Sequence, residues 1–472
     1  MESLIGIGLA GGQGIRCRPL TLKANGIMRA KAAVRFLGRR IVDWLLAELS
    51  GQGIAEVLMV TKGEENHNQI HSLVGDGESL GVHIRYSPHH LDHENSGSGD
   101  ALLTNLDYFD VTTPLAFVFP TDSILDFDLP AMLEAHRRSG AVVTIAVARQ
   151  SAEVIAGQYG LIDQDAENRV RGFLEKPSLK DIYTHFAGRH HRDNELPPLL
   201  TNTGFYLIDT AALRNLSGDS QVAARRRRQL DIGGDLLPWL VAAQYPVYTH
   251  EVRRMGDLGN IPSYLATMAT ALQGHFPSVE RWLLPDAFQQ QRLFIDPTSL
   301  EMPDPISHRT LREKLALGLV KLRAPVRIGK YVIIHPGAVL SESNIDDECD
   351  IQEHAILHRT SVGEGSRIGP YSSLTDVVTG GIVEIQSTRQ DPVTMSGFTA
   401  IGDGVVVQHG AMLHNQVTVF PRIRITAGVR VPARMEIQSP EQLYRLLPSR
   451  EERGSIPQFC AYEPIGQLAM PS

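Results

Sequence analysis

The segment LIGIGLAGGQGIRCRPLT, residues 4–21, joins an apolar run to a glycine-rich turn. The apolar part, residues 4–10, predicts a buried β-strand. It breaks at once into Gly11, Gly12 and Gly14, where the lack of side chains lets backbone N–H groups lie close to an anion. The segment therefore predicts a strand followed by an anion-binding turn, around which an α/β domain can be arranged.

Positive charge is concentrated directly after this turn. No Asp or Glu occurs between Leu4 and Val42, whereas the whole chain of 472 residues has a formal net charge of −8. The cationic residues in that interval are Arg16, Arg18, Lys23, Arg29, Lys31, Arg35, Arg39 and Arg40. So local an excess of positive charge leads us to expect a polyanionic ligand, most simply a phosphate chain.

Two common phosphate-binding patterns do not explain this segment. Residues 6–11 fit G-x-G-x-x-G, but Gly6 and Gly8 lie inside the apolar run, and no acidic residue follows at about 20 positions to hold a ribose. The P-loop pattern G-x-x-x-x-G-K-[ST] is absent. The remaining alternative to a phosphate site is a glycine-rich turn beside a solvated basic surface.

The composition is typical of a soluble protein, with 42% hydrophobic and 21% charged residues. Cys17, Cys349 and Cys460 are widely spaced and form no C-x-x-C, so we expect a reducing, cytoplasmic location without disulfides or a zinc ribbon. We expect no signal peptide, and no apolar run approaches the roughly 18 residues that cross a membrane. The negative net charge argues against a nucleic-acid partner, and the basic run at residues 225–228 is interpreted as a solvated surface.

Apolar strands alternate with helical patterns over the first part of the chain. After the strand at residues 4–10, the predicted strands are residues 57–60, 115–119, 141–148, 200–208 and 247–252. Helical spacing of apolar residues occurs between them, for example over residues 129–136. This alternation predicts an α/β fold with a Rossmann-like, mostly parallel sheet, and a ligand crevice at the carboxyl ends of its strands.

Aliphatic residues recur at every sixth position in the C-terminal part of the chain. The unbroken series is Ile401, Val407, Leu413, Val419, Ile425, Val431 and Ile437. An earlier block, from residue 326 to residue 374, has the same step with short insertions. A hexapeptide repeat is typical of a left-handed parallel β-helix, here of roughly five or six coils. Residues 375–397 are interpreted as a loop that leaves the coils.

Two aspartates follow predicted strands at the expected crevice. Asp122 comes after the strand at residues 115–119, and Asp257 comes after the strand at residues 247–252. Phosphate chains are commonly bound together with Mg²⁺, whose ligands are carboxylate and phosphate oxygens. An Asp after a strand is also a common turn or cap residue, which is our interpretation of Asp126 and Asp128. Asp122 and Asp257 are therefore candidate metal ligands.

These segments together resemble the NTP:sugar-1-phosphate nucleotidyltransferases, most closely the ADP-glucose pyrophosphorylases. LAGGQGIRCRPLT is similar to the family's Gly-Gly-x-Gly-Thr-Arg-Leu-x-Pro-Leu-Thr loop, and RAKAAV to its Arg-Ala-Lys-Pro-Ala-Val segment. Further on, SGSGDAL, PTDSIL, FLEKP, TNTGFY and GDLGNIPSYLATM resemble its base-side, first metal, sugar, sugar-side and second metal segments, in family order. A β-helix after the catalytic domain also matches the family's architecture.

The resemblance implies an enzyme that transfers a nucleotidyl group from an NTP, with ATP or GTP expected, to a sugar- or cyclitol-1-phosphate. A sugar-phosphate oxygen would attack the α-phosphorus and release pyrophosphate, without a protein nucleophile. The resemblance implies that the triphosphate is bound by Gly11, Gly12, Gly14 and Arg16, that the reacting phosphates are contacted by Lys31, and that the nucleotide is also contacted by Gly97, Ser98 and Asp100. It implies that Mg²⁺ is bound by Asp122 and Asp257. The sugar would be bound by Glu175, Asn202 and Thr203, and its phosphate by Lys176.

The chain departs from the family pattern in several places. Lys31 lies ten positions after Thr21, where the family lysine usually lies five after it, so residues 22–28 hold an insertion or a reshaped loop. Four uncharged motif positions also differ, namely Ile15, Ala32, Thr121 and Asn260. Because no charged catalytic residue is lost, an active enzyme is expected. The changes favour a substrate other than glucose 1-phosphate, such as a cyclitol phosphate.

The implied domains are residues 1–275 for catalysis, 276–325 as a connector, 326–440 as the β-helix and 441–472 as a tail. A catalytically silent, regulatory or scaffolding relative is the main alternative. Another is acyl transfer by the β-helix, for which His335, His354, His409 and His414 are available as bases. We favour an oligomerisation or regulatory role for the β-helix, and we expect a homo-oligomer, a dimer or tetramer.

Overall fold

The structure, a computed structural model, describes residues 4–12, 14–92, 96–186, 196–283 and 291–446. Most of the expected tail, residues 441–472, lies outside the described residues, as does Cys460. The described part contains an α/β region followed by a region of short parallel strands. None of the helices in these ranges is long and apolar enough to cross a membrane.

The α/β region alternates strands and helices along the chain. Its strands are β1 (Leu4–Ala10), β2 (Arg35–Phe36), β3 (Arg39–Arg40), β4 (Glu56–Thr61), β5 (His83–Tyr86), β6 (Leu115–Pro120), β7 (Ser123–Asp126), β8 (Val143–Gln150), β9 (Leu161–Gln164), β10 (Val170–Leu174), β11 (Leu199–Asp209), β12 (Val247–Glu251) and β13 (Arg254–Asp257). Its helices are α1 (Ile41–Gly51), α2 (Glu64–Val74), α3 (Ser98–Tyr108), α4 (Leu129–Ser139), α5 (Ala152–Ile155), α6 (Leu179–Phe186), α7 (Thr210–Leu216), α8 (Ser220–Arg226), α9 (Leu237–Ala242) and α10 (Ile261–Leu272). The first predicted strand has the predicted bounds.

Nine of these strands form one sheet, in the order β5-β4-β1-β6-β11-β8-β12, with β9 and β10 attached beside β11. β1 pairs in parallel with both β4 and β6, β4 with β5, and β8 with β12. β11 is antiparallel to β6, β8 and β9, and β10 is antiparallel to β9, so only β10 and β11 oppose the common direction. The predicted parallel-stranded α/β sheet is confirmed.

The two glycines inside β1 allow the neighbouring strands to pack closely. A Cβ atom on Gly8 would lie 2.9 Å from the ring of Phe119 and 2.9 Å from Sδ of Met59. A Cβ atom on Gly6 would lie 3.2 Å from Phe119. These glycines are therefore required for packing inside the sheet, and they lie away from the ligand-facing edge.

A separate pair of antiparallel strands, β7 and β13, joins distant parts of the chain. Ser123 lies opposite Asp257 in this pair, and the N–H group of Leu258 donates to the carbonyl oxygen of Asp122 at 3.3 Å. Only two residues separate β7 from the carboxyl end of β6. The pair consequently brings Asp122 and Asp257 to the carboxyl edge of the central strands.

The C-terminal region consists of many short strands. They are β14 (Leu293–Ile295), β15 (Lys321–Ile328), β16 (Ile333–Ile334), β17 (Val339–Ile345), β18 (Asp350–Ile351), β19 (Ile356–His358), β20 (Ser361–Val362), β21 (Arg367–Ile368), β22 (Ser373–Thr379), β23 (Glu384–Gln386), β24 (Thr394–Ile401), β25 (Val406–Gln408), β26 (Met412–His414), β27 (Thr418–Val419), β28 (Arg424–Ile425), β29 (Arg430–Val431) and β30 (Glu436–Ile437). The remaining helices are α11 (Pro277–Glu280), α12 (Pro297–Glu301), α13 (Leu311–Ala316) and α14 (Glu441–Tyr444).

Aliphatic side chains stack from strand to strand in this region. Ile334 is in register with Ile351, Ile351 with Ile368, and Ile368 with Ile385, always in parallel. The predicted six-residue positions from Ile401 onwards are all buried. The sequence period therefore identified the residues that form the core of this region.

The interpretation of residues 375–397 as a loop leaving the strands is wrong. β22 pairs in parallel with β24, and β23 pairs with both β21 and β25, so the stacking continues through this interval. The aliphatic residues keep their positions while the spacing between them changes, because extra residues lie between β23 and β24. The insertion hides the period in the sequence and leaves the stack unbroken.

Part of the basic segment after the glycine turn contacts the C-terminal region. Arg29 forms an ion pair with Asp403, and Arg35 forms one with Glu364. Part of the local excess of positive charge is therefore paired within the chain. The two arginines are neutralised by carboxylates more than 300 residues away, which the local sequence does not reveal.

The two regions also share a hydrophobic core. Phe36 and Tyr264 of the α/β region belong to the same buried cluster as Val378 and Ala400. The Tyr264 hydroxyl donates to the carbonyl oxygen of Arg35 at 2.9 Å. The orientation of the basic segment is therefore fixed from both sides.

Candidate active site

The glycine turn lies at the carboxyl end of β1, between β4 and β6. Gly11 and Gly12 are exposed, so their backbone is open to a ligand. Gly14 has φ 65°, and a Cβ atom there would lie 2.7 Å from Cγ2 of Thr21. Only glycine fits this position without strain. The turn then leads into a 3-10 helix, Ile15–Cys17, which carries the exposed Arg16.

Residues 22–28, where the sequence departs from the family pattern, form a small hairpin. Leu22 and Met28 form an antiparallel bridge, and the N–H group of Lys23 donates to the carbonyl oxygen of Ile27 at 2.8 Å. The N–H group of Arg29 then donates to the carbonyl oxygen of Thr21 at 2.7 Å. Because the hairpin closes on itself, the chain returns to the point it left, and the following residues still reach the turn.

Lys31 lies in a second 3-10 helix, Lys31–Ala33, beside the turn. Its Nζ is 2.6 Å from Oδ2 of Asp122 and would lie 3.3 Å from a Cβ atom on Gly12. A small cavity of about 40 Å³ opens here and is lined in part by Gly12, Lys31, Asn66 and Asp122. The structure thus places a cation, a carboxylate and exposed glycine backbone around one small space.

Asp257 is held by two hydrogen bonds. Its Oδ1 accepts from the N–H group of Gly259 at 2.7 Å, and its Oδ2 accepts from the hydroxyl of Tyr159 at 2.5 Å. Burial, and then the nearby Asp257 carboxylate, raise the pKa of Tyr159, so this hydroxyl is a proton donor at neutral pH. The guanidinium of Arg16 lies near Gly259, on the same side of the site.

The two aspartates fit a divalent cation that is shared with a substrate. Each carboxylate offers about four lone-pair positions, and the contacts described for Asp122 and Asp257 leave several of them free. No group of three or more His, Cys, Asp or Glu side chains in the described ranges could hold a metal alone. That donor set suits Mg²⁺, which is commonly bound by one or two carboxylates together with substrate phosphates and water.

Cys17 lies beneath this part of the site. Its thiol donates to the carbonyl oxygen of Leu258 at 3.4 Å, and it is almost completely buried. Burial raises its pKa to about 12, although nearby Lys31 acts in the opposite direction. Cys17 therefore stays protonated and serves packing, and it offers no nucleophile.

The residues predicted to bind the sugar lie close together, and the space beside Glu175 is called the Glu175 pocket below. Glu175 Oε1 is 3.0 Å from Nζ of Lys176. The other oxygen, Oε2, would lie 3.0 Å from a Cβ atom on Gly160 and 3.1 Å from one on Gly233. Asn202 lies on the same wall, since its Nδ2 would be 3.6 Å from a Cβ atom on Gly233. Glycine at positions 160 and 233 thus leaves room around the Glu175 carboxylate.

The two halves of the site are adjacent, because Tyr159 contacts Asp257 and the next residue, Gly160, contacts Glu175. Thr203 differs from its neighbours: its side chain is buried, and its hydroxyl donates to the carbonyl oxygen of Ala146 at 2.7 Å. Only its backbone is left for a ligand.

Three polar or small residues of this pocket had no sequence prediction. The hydroxyl of Tyr206 accepts a hydrogen bond from Nδ2 of Asn202 at 2.9 Å. Gly160 and Gly233 lie against Glu175, as described above. Tyr206 stands two residues after a glycine within the TNTGFY segment, and that position was the only available indication.

The base-side residues Gly97, Ser98 and Asp100 lie at the start of α3, where their polar groups are already bonded. The N–H group of Ser98 donates to Oδ1 of Asp231 at 3.1 Å, and the N–H groups at positions 99 and 100 both donate to the carbonyl oxygen of Leu230. Asp100 accepts from Nε of Arg226 at 2.6 Å and from the N–H group of Ser96 at 2.9 Å. These side chains stabilise the loop, and their contact with a nucleotide stays a prediction.

A larger cavity lies elsewhere. It measures about 350 Å³, and its walls come from α4 and from strands including β8 and β12. None of the predicted site residues lines it, and it combines no cation with a phosphate-binding backbone. Of the predicted site residues, Gly12, Lys31 and Asp122 instead line the smaller cavity beside the glycine turn.

Comparison with known proteins assigns the class. The family model for nucleotidyl transferases matches residues 5–274, and the chain belongs to that family. The predicted resemblance is thereby confirmed.

Individual relatives are similar to this chain at 23% to 32% identity. A glucose-1-phosphate adenylyltransferase from Alteromonas mediterranea is 27% identical over 399 residues, covering 76% of this chain and 85% of that protein. One from Acidothermus cellulolyticus is 32% identical over 272 residues, covering 53% and 61%. A UTP–glucose-1-phosphate uridylyltransferase from Synechocystis is 23% identical over 402 residues, covering 81% and 91%.

Proposed function

We propose that the protein joins an NTP, ATP or GTP, to a sugar- or cyclitol-1-phosphate and releases pyrophosphate. The observation that carries this proposal is the position of Asp122 and Asp257 between the glycine turn and the Glu175 pocket. The similar proteins include both adenylyl- and uridylyltransferases acting on glucose 1-phosphate, so they support the reaction type and leave the substrate open.

The reaction needs alignment and charge stabilisation more than covalent chemistry. An ionised oxygen of the sugar phosphate attacks the α-phosphorus, the bond from that phosphorus to the β-phosphate oxygen breaks, and pyrophosphate leaves. Arg16 and Lys31 bind the triphosphate and balance the charge that develops on the leaving group. Lys176 holds the sugar phosphate, while Glu175 and Asn202 orient the ring by hydrogen bonds. Since the attacking oxygen is already ionised, no general base is required.

Asp122 and Asp257 would hold Mg²⁺ in this proposal. When bound, the cation supplies Lewis-acid stabilisation of the phosphate charge. The Lys31 ammonium beside Asp122 then supplies a second positive charge at the same end of the cleft. These assignments follow the donor chemistry of the site and the family resemblance.

For the C-terminal strands we propose a left-handed β-helix that serves oligomerisation, as a dimer or tetramer, or regulation. Acyl transfer is disfavoured at two of the four candidate histidines, because both are engaged in contacts within the chain. His335 is buried between Asp304 and Asp350, at 3.3 and 3.0 Å. His414 contacts the hydroxyl of Ser396 at 2.7 Å. Such contacts leave no free imidazole beside an open cleft at either position.

A substrate matrix tests the proposed function. Four NTPs are incubated with Mg²⁺ and a panel of sugar and cyclitol 1-phosphates, and released pyrophosphate is measured. At least one pair should give turnover that depends on both substrates. The matched control is Asp122→Asn, which should be inactive with the same pair. Silence of the folded wild-type protein with every pair would overturn the proposal.

A non-catalytic relative is the second candidate, and one observation favours it. Lys31 and Asp122 neutralise each other in the structure, so two groups that the reaction needs are engaged together. A thermal shift with nucleotide, combined with no turnover for any pair in the matrix, would support this reading.

A further inference from the structure

Tyr159 is bound to a predicted metal ligand but is marked by no sequence motif. Its hydroxyl donates to Oδ2 of Asp257 at 2.5 Å, while the N–H group of Gly259 donates to Oδ1 at 2.7 Å. The carboxylate therefore has one donor on each oxygen, which fixes its rotation. The remaining lone pairs of both oxygens are directed away from these donors.

The backbone next to Tyr159 is held by β11. The carbonyl oxygen of the next residue, Gly160, accepts from the N–H group of Asn202 at 2.8 Å and from the hydroxyl of Thr201 at 3.2 Å. The backbone that carries Tyr159 is therefore anchored on β11.

We propose that Tyr159 is a positioning residue, whose hydroxyl orients the Asp257 carboxylate for a divalent cation. The inference rests on the proposed function only for the identity of the reaction. Groups that hydrogen-bond to metal ligands fix the ligand orientation, and losing one commonly costs 10- to 100-fold in metal affinity. Because Tyr159 precedes Gly160, the same residue links the metal carboxylate to the pocket around Glu175.

The experiment compares the full-length wild type with Tyr159→Phe, which removes the hydroxyl and keeps the ring. Mn²⁺ is titrated into each protein, and free Mn²⁺ is followed by electron paramagnetic resonance, a readout that does not depend on turnover. We expect the variant to bind Mn²⁺ about tenfold more weakly. With an active substrate pair, kcat should fall and the Mg²⁺ requirement should rise, while the KM for the sugar phosphate stays within about twofold.

Tyr86→Phe is the matched control, because the Tyr86 hydroxyl donates to the carbonyl oxygen of Gly75 at 2.6 Å, away from both aspartates. It should bind Mn²⁺ as the wild type does. Thermal unfolding midpoints establish that each variant is folded.

The outcomes separate this inference from the proposed function. If Asp257→Asn loses Mn²⁺ binding while Tyr159→Phe binds as the wild type does, positioning by Tyr159 is refuted and the proposed function is untouched. If Tyr159→Phe weakens Mn²⁺ binding but the wild type releases no pyrophosphate with any pair, the positioning role stands and the proposed reaction fails.

Discussion

The glycine turn and the start of α3 received the same prediction, yet their chemistry differs. At the turn, Gly11 and Gly12 are exposed, and Arg16 takes part in no ion pair within the described residues. At the start of α3, the backbone N–H groups are bonded to Asp231 and Leu230. Both are glycine-containing segments beside the same cleft. A segment binds an anion only if the chain has not already supplied its own acceptors.

The difference arises from the groups that the rest of the chain packs against each segment. The π-helix Ile232–Leu236 brings Asp231 and a carbonyl group directly onto the start of α3. The turn, by contrast, is approached mainly by Lys31, a cation that cannot satisfy an N–H donor. Buried donors need partners, so the N–H groups at the start of α3 are satisfied within the chain. The backbone of the glycine turn remains available for a ligand.

Asp122→Asn should have the largest effect and would sharpen the comparison most. It removes negative charge beside the open turn while preserving shape, so we expect kcat to fall on the order of a thousandfold. Pyrophosphate release under saturating substrates measures it. Asp128→Asn is the control, because Asp128 caps α4 through the N–H group of Ala131 and asparagine caps equally well. Equal losses in both variants would contradict the assignment of Asp122.

Asp100→Ala should act mainly on stability. Its carboxylate is 7% exposed and pairs with Arg226, so removal leaves buried donors without an acceptor. We expect the free energy of unfolding to fall by about 2 to 3 kcal/mol. Urea denaturation checks this, with Arg149→Ala as the control, since that exposed pair with Glu251 should contribute under about 1 kcal/mol.

The comparison would break if Asp100→Ala kept its stability but raised the KM for the nucleotide tenfold. That result would place the carboxylate on the ligand. It would also show that the contact with Arg226 is exchanged when a nucleotide binds.

Gly14→Ala should show a smaller effect that isolates crowding at the turn. Gly14 and Gly26 both have positive φ, 65° and 80°, but a Cβ atom on Gly26 meets nothing within 4 Å. Both alanine variants should lose about 1 kcal/mol from backbone strain. Gly14→Ala should lose about 1 kcal/mol more, because its Cβ would lie 2.7 Å from Thr21. Equal unfolding free energies for the two variants would argue against a tightly packed turn.

Local patterns predicted the fold well. Residues 4–10 read as a strand because a short apolar run ends in glycines, and β1 has those bounds. The six-residue period identified buried aliphatic positions such as Ile425. It failed at residues 375–397, where inserted residues change the spacing while the strands continue to pair.

The site was less accessible from the sequence. Asp122 and Asp257 could be proposed as strand-end carboxylates, but β13, which brings Asp257 beside Asp122, was not predicted as a strand. Tyr159 carries no local mark, since its role comes from a contact with a residue 98 positions away. The local charge pattern did not reveal that Arg29 pairs with Asp403, because the two residues are distant in sequence.

The contact between the basic segment and the C-terminal strands has a consequence for dividing the chain. A fragment ending near residue 275 would expose the buried surface of Phe36 and Tyr264 and would leave Arg29 and Arg35 without their carboxylates. Such a fragment is expected to aggregate, although the family match ends at residue 274. The part of the chain that matches the family model is therefore not expected to fold by itself.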